Sequence, residues 1–132
     1  YCPMEDLHGQ VVDCSRAGFA QAMDISVHSL IRLARLAAPL MLRGGTILTM
    51  TYYVGEKVVD HYNIMGPVKA ALEGTMRALA VELGPKHIRV NAISSGPLQT
   101  RAGSGIAHFD ELIDAARARA PEQSRITIQD VG

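Results

Sequence analysis

A tyrosine and a lysine seven positions apart, Tyr62 and Lys69 in the stretch HYNIMGPVK, are the pair whose types could do chemistry together. On a helix, seven residues advance roughly 700°, so such side chains nearly share a face, roughly 10 Å apart along the axis. That is too far for a direct bond and suits two groups gripping one ligand. An ordinary tyrosine ionises near pH ~10. A neighbouring ammonium favours the phenolate and makes the phenol a better acid. Such a phenol can donate to a carbonyl oxygen that gains negative charge. The lysine's donors can meanwhile hold a diol. A plainer arrangement is also open, with Tyr62 packing as a helix flank and Lys69 pairing with Glu73 one turn on. Pro67 bears on the choice. Proline fits a helix's first turn, and a helix starting there leaves Tyr62 outside it.

The elements that must position the pair follow from hydrophobic spacing. In RAGFAQAMDISVHSLIRLARLAAPLML, Phe19, Met23, Val27, Leu30, Ile31 and Leu33 recur near helical spacing. This predicts one long helix over 16–42, or two in line bent near Asp24 to Ser26, ended by Gly44-Gly45. Thr46 to Tyr52 is short, β-branched and apolar, which predicts a buried strand. The next helix, 67–83, carries Val68, Leu72, Met76, Leu79 and Leu83 along one side, with Glu73 and Arg77 as an i,i+4 surface pair. Ile88 to Ser94 reads as a second buried strand, and Gly96-Pro97 as a turn. An amphipathic helix over 105–120 buries Phe109, Leu112, Ile113 and Ala116, with Asp110, Glu111 and Asp114 on its wet face. Strand, helix and strand in this order make a βαβ unit and a parallel sheet, with a right-handed crossover. Ligands of such sheets gather beyond the carboxyl ends of the strands. Tyr52, Ser94-Ser95-Gly96 and the start of the Tyr62–Lys69 segment all fall there.

Composition excludes several classes. The 132 residues are 48% hydrophobic and 20% charged, with thirteen basic residues against thirteen acidic. That is a globular domain without a basic stripe for nucleic acid. The longest apolar run, LAAPLML, is too short to span a membrane. Cys2 and Cys14 are too few for a disulfide framework. His8, His28, His61, His87 and His108 show no metal spacing, and Ser94-Ser95-Gly96 is no nucleophile elbow. The expectation is a soluble, cytoplasmic protein. Both ends are read as cut: the chain opens YCPMEDLHG, and Thr127 with Asp130 has the spacing of a helix-starting capping box just as the sequence stops. Two strands alone make no stable parallel sheet.

The stretch TYYVGEKVVDHYNIMGPVKAALEGTMRALAVELGPKHIRVNAISSGPLQTRAGSGI resembles the enoyl-acyl-carrier-protein reductases that use NADH, the divergent branch of the short-chain dehydrogenase/reductase superfamily. Ordinary members of the superfamily place the lysine four after the tyrosine, where Gly66 stands here. The second tyrosine, Tyr52, also matches that branch. The resemblance extends weakly to nearly the whole chain.

The resemblance implies a partial Rossmann-type, doubly wound parallel α/β fold. Residues 1–132 would be one partial dinucleotide-binding and catalytic domain, without its N-terminal glycine-rich portion and C-terminal strand. It implies reduction of the carbon–carbon double bond of an enoyl thioester on acyl carrier protein, with NADH, in fatty acid biosynthesis. Tyr62 would bond the thioester carbonyl, with Tyr52 beside it. Lys69 would hold the nicotinamide ribose. Leu98 would meet the carboxamide, and Gln99, Thr100, Arg101 and Ala102 would continue past the phosphates. Cys2, Tyr52, Tyr62, Met65, Ala102, Ile106 and Phe109 would contact substrate, with the helix around Phe109 as a mobile lid. Helices 16–42 and 67–83 would pack against a second subunit of a tetramer. The glycine-rich turn for the pyrophosphate does not occur in these residues, so this chain alone is expected to turn over substrate poorly. Two alternatives stay open: a short-chain reductase of another carbonyl substrate, and a non-catalytic remnant with an association role.

Overall fold

The computed structural model describes residues 4–101, 103–106 and 108–132. Helix α1 (Met4–Leu7) is followed by α2 (Arg16–Met23), a π turn over Asp24–His28 and α3 (Ser29–Ala37). Strand β1 (Gly45–Thr51), helix α4 (Met65–Leu83) and strand β2 (Ile88–Ser94) come next, then α5 (Phe109–Arg119) and α6 (Ile128–Val131). The strands pair in parallel, from Gly45 opposite Ile88 to Thr51 opposite Ser94. This is the βαβ unit of an α/β fold. Both strands end at one rim.

The start of α2 is pinned from outside the helix. Ser15 caps it, accepting from the Gly18 amide at 2.9 Å, so a donor left orphaned at the helix end is satisfied. The buried Asp6 carboxylate in turn accepts from the Ser15 amide at 2.6 Å and its hydroxyl at 3.0 Å. The helical run is continuous through the π turn, the first of the two arrangements expected. Its buried stripe is Ala22, Val27, Leu30 and Ala34. Phe19 is 46% exposed and Leu33 52%, against expectation. The wider π turn rotates the residues after it about the axis, so the part of the stripe that includes Leu33, counted at strict α spacing, drifts off the core. The run also stops earlier than Gly44-Gly45, in a 3₁₀ turn over Ala38–Leu40. Pro39 has no amide to continue it.

Gly44 instead launches the sheet. Its φ is +73°, and a methyl there would run into the His87 carbonyl oxygen, while the Gly45 amide donates to that same oxygen at 3.1 Å. Only glycine brings the backbone this close in that conformation.

Helix α4 carries the core. Val68, Leu72, Leu79 and Leu83 are buried, with Met76 half-buried beside them, and they pack with Ile47, Ile88 and Val90 of the sheet. The strands are not buried on both faces, as their apolar runs suggested. Ile47 and Thr51 point inward, but Leu48 is 54% exposed and Met50 faces out with it. Successive strand residues face opposite sides, and α4 covers one. Helix α5 begins at Phe109 rather than Gly105, because Gly103–Gly105 forms a 3₁₀ turn and His108 takes a left-handed φ of 57°. The capping box is present: Thr127 accepts from the Asp130 amide, and the Asp130 carboxylate accepts from the Thr127 amide at 2.7 Å. Among the described residues no helix is long and apolar enough to cross a membrane.

Ile88, 1% exposed, is among the largest fully buried side chains. Ile88→Ala is expected to remove about 2–5 kcal/mol of stability. A urea titration would read this as a lower midpoint at unchanged slope.

Candidate active site

Two tyrosines meet beyond the end of β1. Tyr52 follows Thr51 in extended conformation, and a tight turn over Tyr53–Gly55 closes behind it, with the Gly55 amide donating to the Tyr52 carbonyl at 2.9 Å. Tyr62 arrives from the other side. It sits between His61 and Asn63, both left-handed at φ 63° and 35°. Such backbone is uncommon outside glycine, with Asn and His among the residues that tolerate it best. Asn63 also ties this loop to the N-terminal segment by donating to the Leu7 carbonyl. The two phenol rings lie 5.1 Å apart between centroids, tilted by 39°, a favourable aromatic geometry.

Tyr62 precedes α4, which starts at Met65 with Pro67 in its first turn. The shared helical face therefore does not exist. The loop, not helix periodicity, places Tyr62.

Lys69 is on α4. Its ammonium donates to the Met50 carbonyl at 2.9 Å, one of three donors it owns. Glu73, one turn on, is not the surface partner expected. Its side chain is only 12% exposed, it accepts from the Thr51 hydroxyl at 2.6 Å, and Arg77 stands 4.0 Å away. A carboxylate that takes a buried hydroxyl from the strand cannot turn out to water as a surface residue would.

Burial governs the electrostatics. It pushes the Tyr62 phenol up to about 12, with Tyr52 adding to the shift. It also raises the Tyr52 phenol. This is opposite to the acidification by Lys69 that the seven-residue spacing suggested. At neutral pH Tyr62 is a protonated donor. Lys69 is lowered by burial, with Glu73 pulling back toward the charged form.

The remaining expected residues fall on the segment after β2. Gly96, at φ +78°, turns the chain off the strand. Leu98 and Thr100 are half-buried, while Gln99 and Arg101 are exposed. Thr100 accepts from the Gly103 amide at 3.1 Å. Phe109 lies half-buried against Gly103, and Ile106 and Met65 are half-buried. The rings of His61 and His108 lie 4.6 Å apart, so the start of α5 meets the Tyr62 loop. Cys2 and Ala102 lie outside the described residues.

The pattern of the family described as enoyl-(acyl carrier protein) reductase matches residues 1–132. The chain belongs to this family. It is 49% identical over 128 residues to an NADH enoyl-acyl-carrier-protein reductase of Rhizobium meliloti, covering 97% of this chain and 47% of that protein. The crystal structure of the Aquifex aeolicus NADH reductase is 50% identical and superposes with a TM-score of 0.94, covering 100% of this chain and 52% of that one. The Anaplasma phagocytophilum reductase, crystallised in complex with NAD, is 46% identical with a TM-score of 0.92, over 100% of this chain and 50% of that one. The chain spans about half the length of the curated relatives it matches. The fold is that of these reductases, a partial Rossmann-type sheet.

Within this family member, an open cavity of about 610 Å³ lies between Gly9–Val11, the 54–63 loop and the first turns of α4. Tyr62 lines it, but Tyr52, Met65, Ile106 and Phe109 do not. Of the described residues expected to contact substrate, it thus shares Tyr62. The bond between Thr51 and Glu73 escaped sequence reading. The one available signal was a strand-end threonine on the inward parity of β1, which needs a partner when buried.

The Tyr62 shift has a pH signature. Its folded titration lies above its ordinary value of 10.0, so its contribution to stability is full below about pH 10 and is lost as pH rises toward about 12. Phenolate absorbance against pH is expected to show one late step near 12 that Tyr62→Phe removes.

Proposed function

We propose that these residues supply the substrate and nicotinamide-ribose side of an enzyme that reduces an enoyl thioester on acyl carrier protein with NADH, in fatty acid biosynthesis. The half-buried Tyr52–Tyr62 pair at the end of β1, with Lys69 on the following helix, carries this reading. Residues 1–132 form part of a single dinucleotide-binding and catalytic domain. NADH supplies the hydride that goes to the β-carbon.

The chain's own residues do the rest. Tyr62, neutral and half-buried, donates its hydroxyl to the thioester carbonyl. As the double bond takes up hydride, charge moves onto that oxygen, and a donor fixed in place stabilises it without reorganising. The α-carbon then takes a proton to complete the reduction. Tyr52 backs the Tyr62 ring and limits where the carbonyl can sit. Lys69, held by the Met50 carbonyl, has further donors for a ribose diol. That fit to the cofactor rests on a half-buried ammonium at the rim where ligands of parallel sheets bind. Leu98, Gln99, Thr100 and Arg101 leave β2 at the same rim and, with Ala102, would run along the rest of the nucleotide. Cys2, Met65, Ile106 and Phe109 would border the acyl chain.

The protein acts as a homo-oligomer, a tetramer by the resemblance, in the cytoplasm. Leu36 at 71% exposure and Val81 at 79% leave apolar surface on α3 and α4, which supports helix packing between copies.

In a protein of the relatives' full length carrying these residues, Tyr62→Phe is expected to lower kcat about a hundredfold or more with little change in NADH affinity. Lys69→Ala is expected to weaken NADH binding as well. NADH absorbance with an enoyl thioester reads the first, and fluorescence titration the second. Full turnover by Tyr62→Phe would sink the assignment.

A further inference from the structure

Glu73 stands where three parts of the site come together. Its carboxylate accepts from Thr51 Oγ1 at 2.6 Å. Thr51 is the last residue of β1 and is itself buried, so this bond fixes the strand end that carries Tyr52. Gly55 crosses the carboxylate so closely that a methyl there would overlap Oε1. The turn behind Tyr52, closed by the Gly55 and Glu56 amides, therefore rests on Glu73. Lys69 is four residues earlier on α4 and donates to the carbonyl of Met50, the neighbour of Thr51. One acidic side chain thus braces the strand end, the turn and the helix that present Tyr52 and Lys69. A buried carboxylate is costly unless bonded and paired, and here a hydroxyl and two nearby cations offset that cost. A residue needed only for stability could be apolar at this place.

We propose that Glu73 is a positioning residue for this site: through Thr51 and Gly55 it sets the placement of Tyr52 against α4, the helix that also carries Lys69. This rests on the reductase reading for its chemistry, but the brace itself can be measured without turnover. Burial disfavours the Lys69 ammonium and Glu73 opposes that, which agrees with the geometry.

The test uses Glu73→Gln, which keeps the shape and removes the charge, with Thr51→Val and Thr51→Ser, in a protein of the relatives' full length carrying these residues. Glu73→Gln is expected to lower kcat about ten- to hundredfold, the cost of a small misplacement at a reacting centre, while KM for the thioester holds. Amide exchange at Gly55 and Glu56 is expected to quicken, and the Lys69 ammonium to titrate at lower pH by NMR. Thr51→Val is expected to quicken the same amides, and Thr51→Ser, which keeps the hydroxyl, to restore them. Wild-type kcat in Glu73→Gln overturns the proposal. So does a loss of kcat with unchanged exchange at Gly55 and Glu56, because the effect would not pass through the turn. If the unaltered protein does not reduce the thioester while Glu73→Gln still loosens the turn and shifts Lys69, the reductase reading fails and the brace stands.

Discussion

The parallel pairing of β1 with β2 across α4 is the constraint on which the rest depends. Parallel strands cannot be joined by a tight turn, so the chain must cross back over the sheet. Helix α4 makes that crossing and buries Val68, Leu72, Leu79 and Leu83. Both strands then end on one rim, with Thr51 opposite Ser94. Tyr52, the Tyr62 loop and the segment after Gly96 are neighbours because of this crossing. The pairing starts at the Gly45–His87 bond, and glycine at 44 lets the two backbones approach. A site spread over some fifty residues of sequence thus hangs on one register.

The electrostatic character of the rim has a single direction. Burial drives the Tyr52 and Tyr62 phenols and the Lys69 ammonium toward their neutral forms. Such a setting suits a reaction in which charge appears only briefly on a carbonyl oxygen. A fixed hydroxyl in a low dielectric acts more strongly on that charge than water would. For the lysine, the carboxylate of Glu73 opposes that neutralisation. The site's acid–base state is thus set by how dry each group is and by one counter-charge.

Much of the fold was legible in the sequence. β2 runs from Ile88 to Ser94 as read, because β-branched residues bounded by a stop and a turn leave little choice. α4 was legible from its apolar side, although it begins two residues before Pro67. What was not legible needed three dimensions. The spacing of Tyr62 and Lys69 was read through a shared helical face that is absent; two left-handed residues flank the tyrosine instead. Glu73 looked like a surface partner of Arg77, because i,i+4 spacing reports the helix and not the strand it lies on. The strands read as buried on both faces, since apolar runs do not tell which side is covered. The roles expected of the loop residues came from the family resemblance, because their spacing carries none.

The π turn at Asp24–His28 bears on how tolerant this chain is of changes in length. Ala22 and Val27 both face the core although five residues separate them, a gap that a regular α turn would throw to different sides. The wide turn absorbs the odd residue and returns α3 to the face that α2 presents. A chain shorter by one residue within 24–28 would bring the two positions to ordinary helical spacing, so the core has two compatible lengths here. A change of one residue inside β1 has no such outlet, because a strand's side chains alternate by twos. The segment around the π turn can thus accommodate loss of a residue where the sheet cannot.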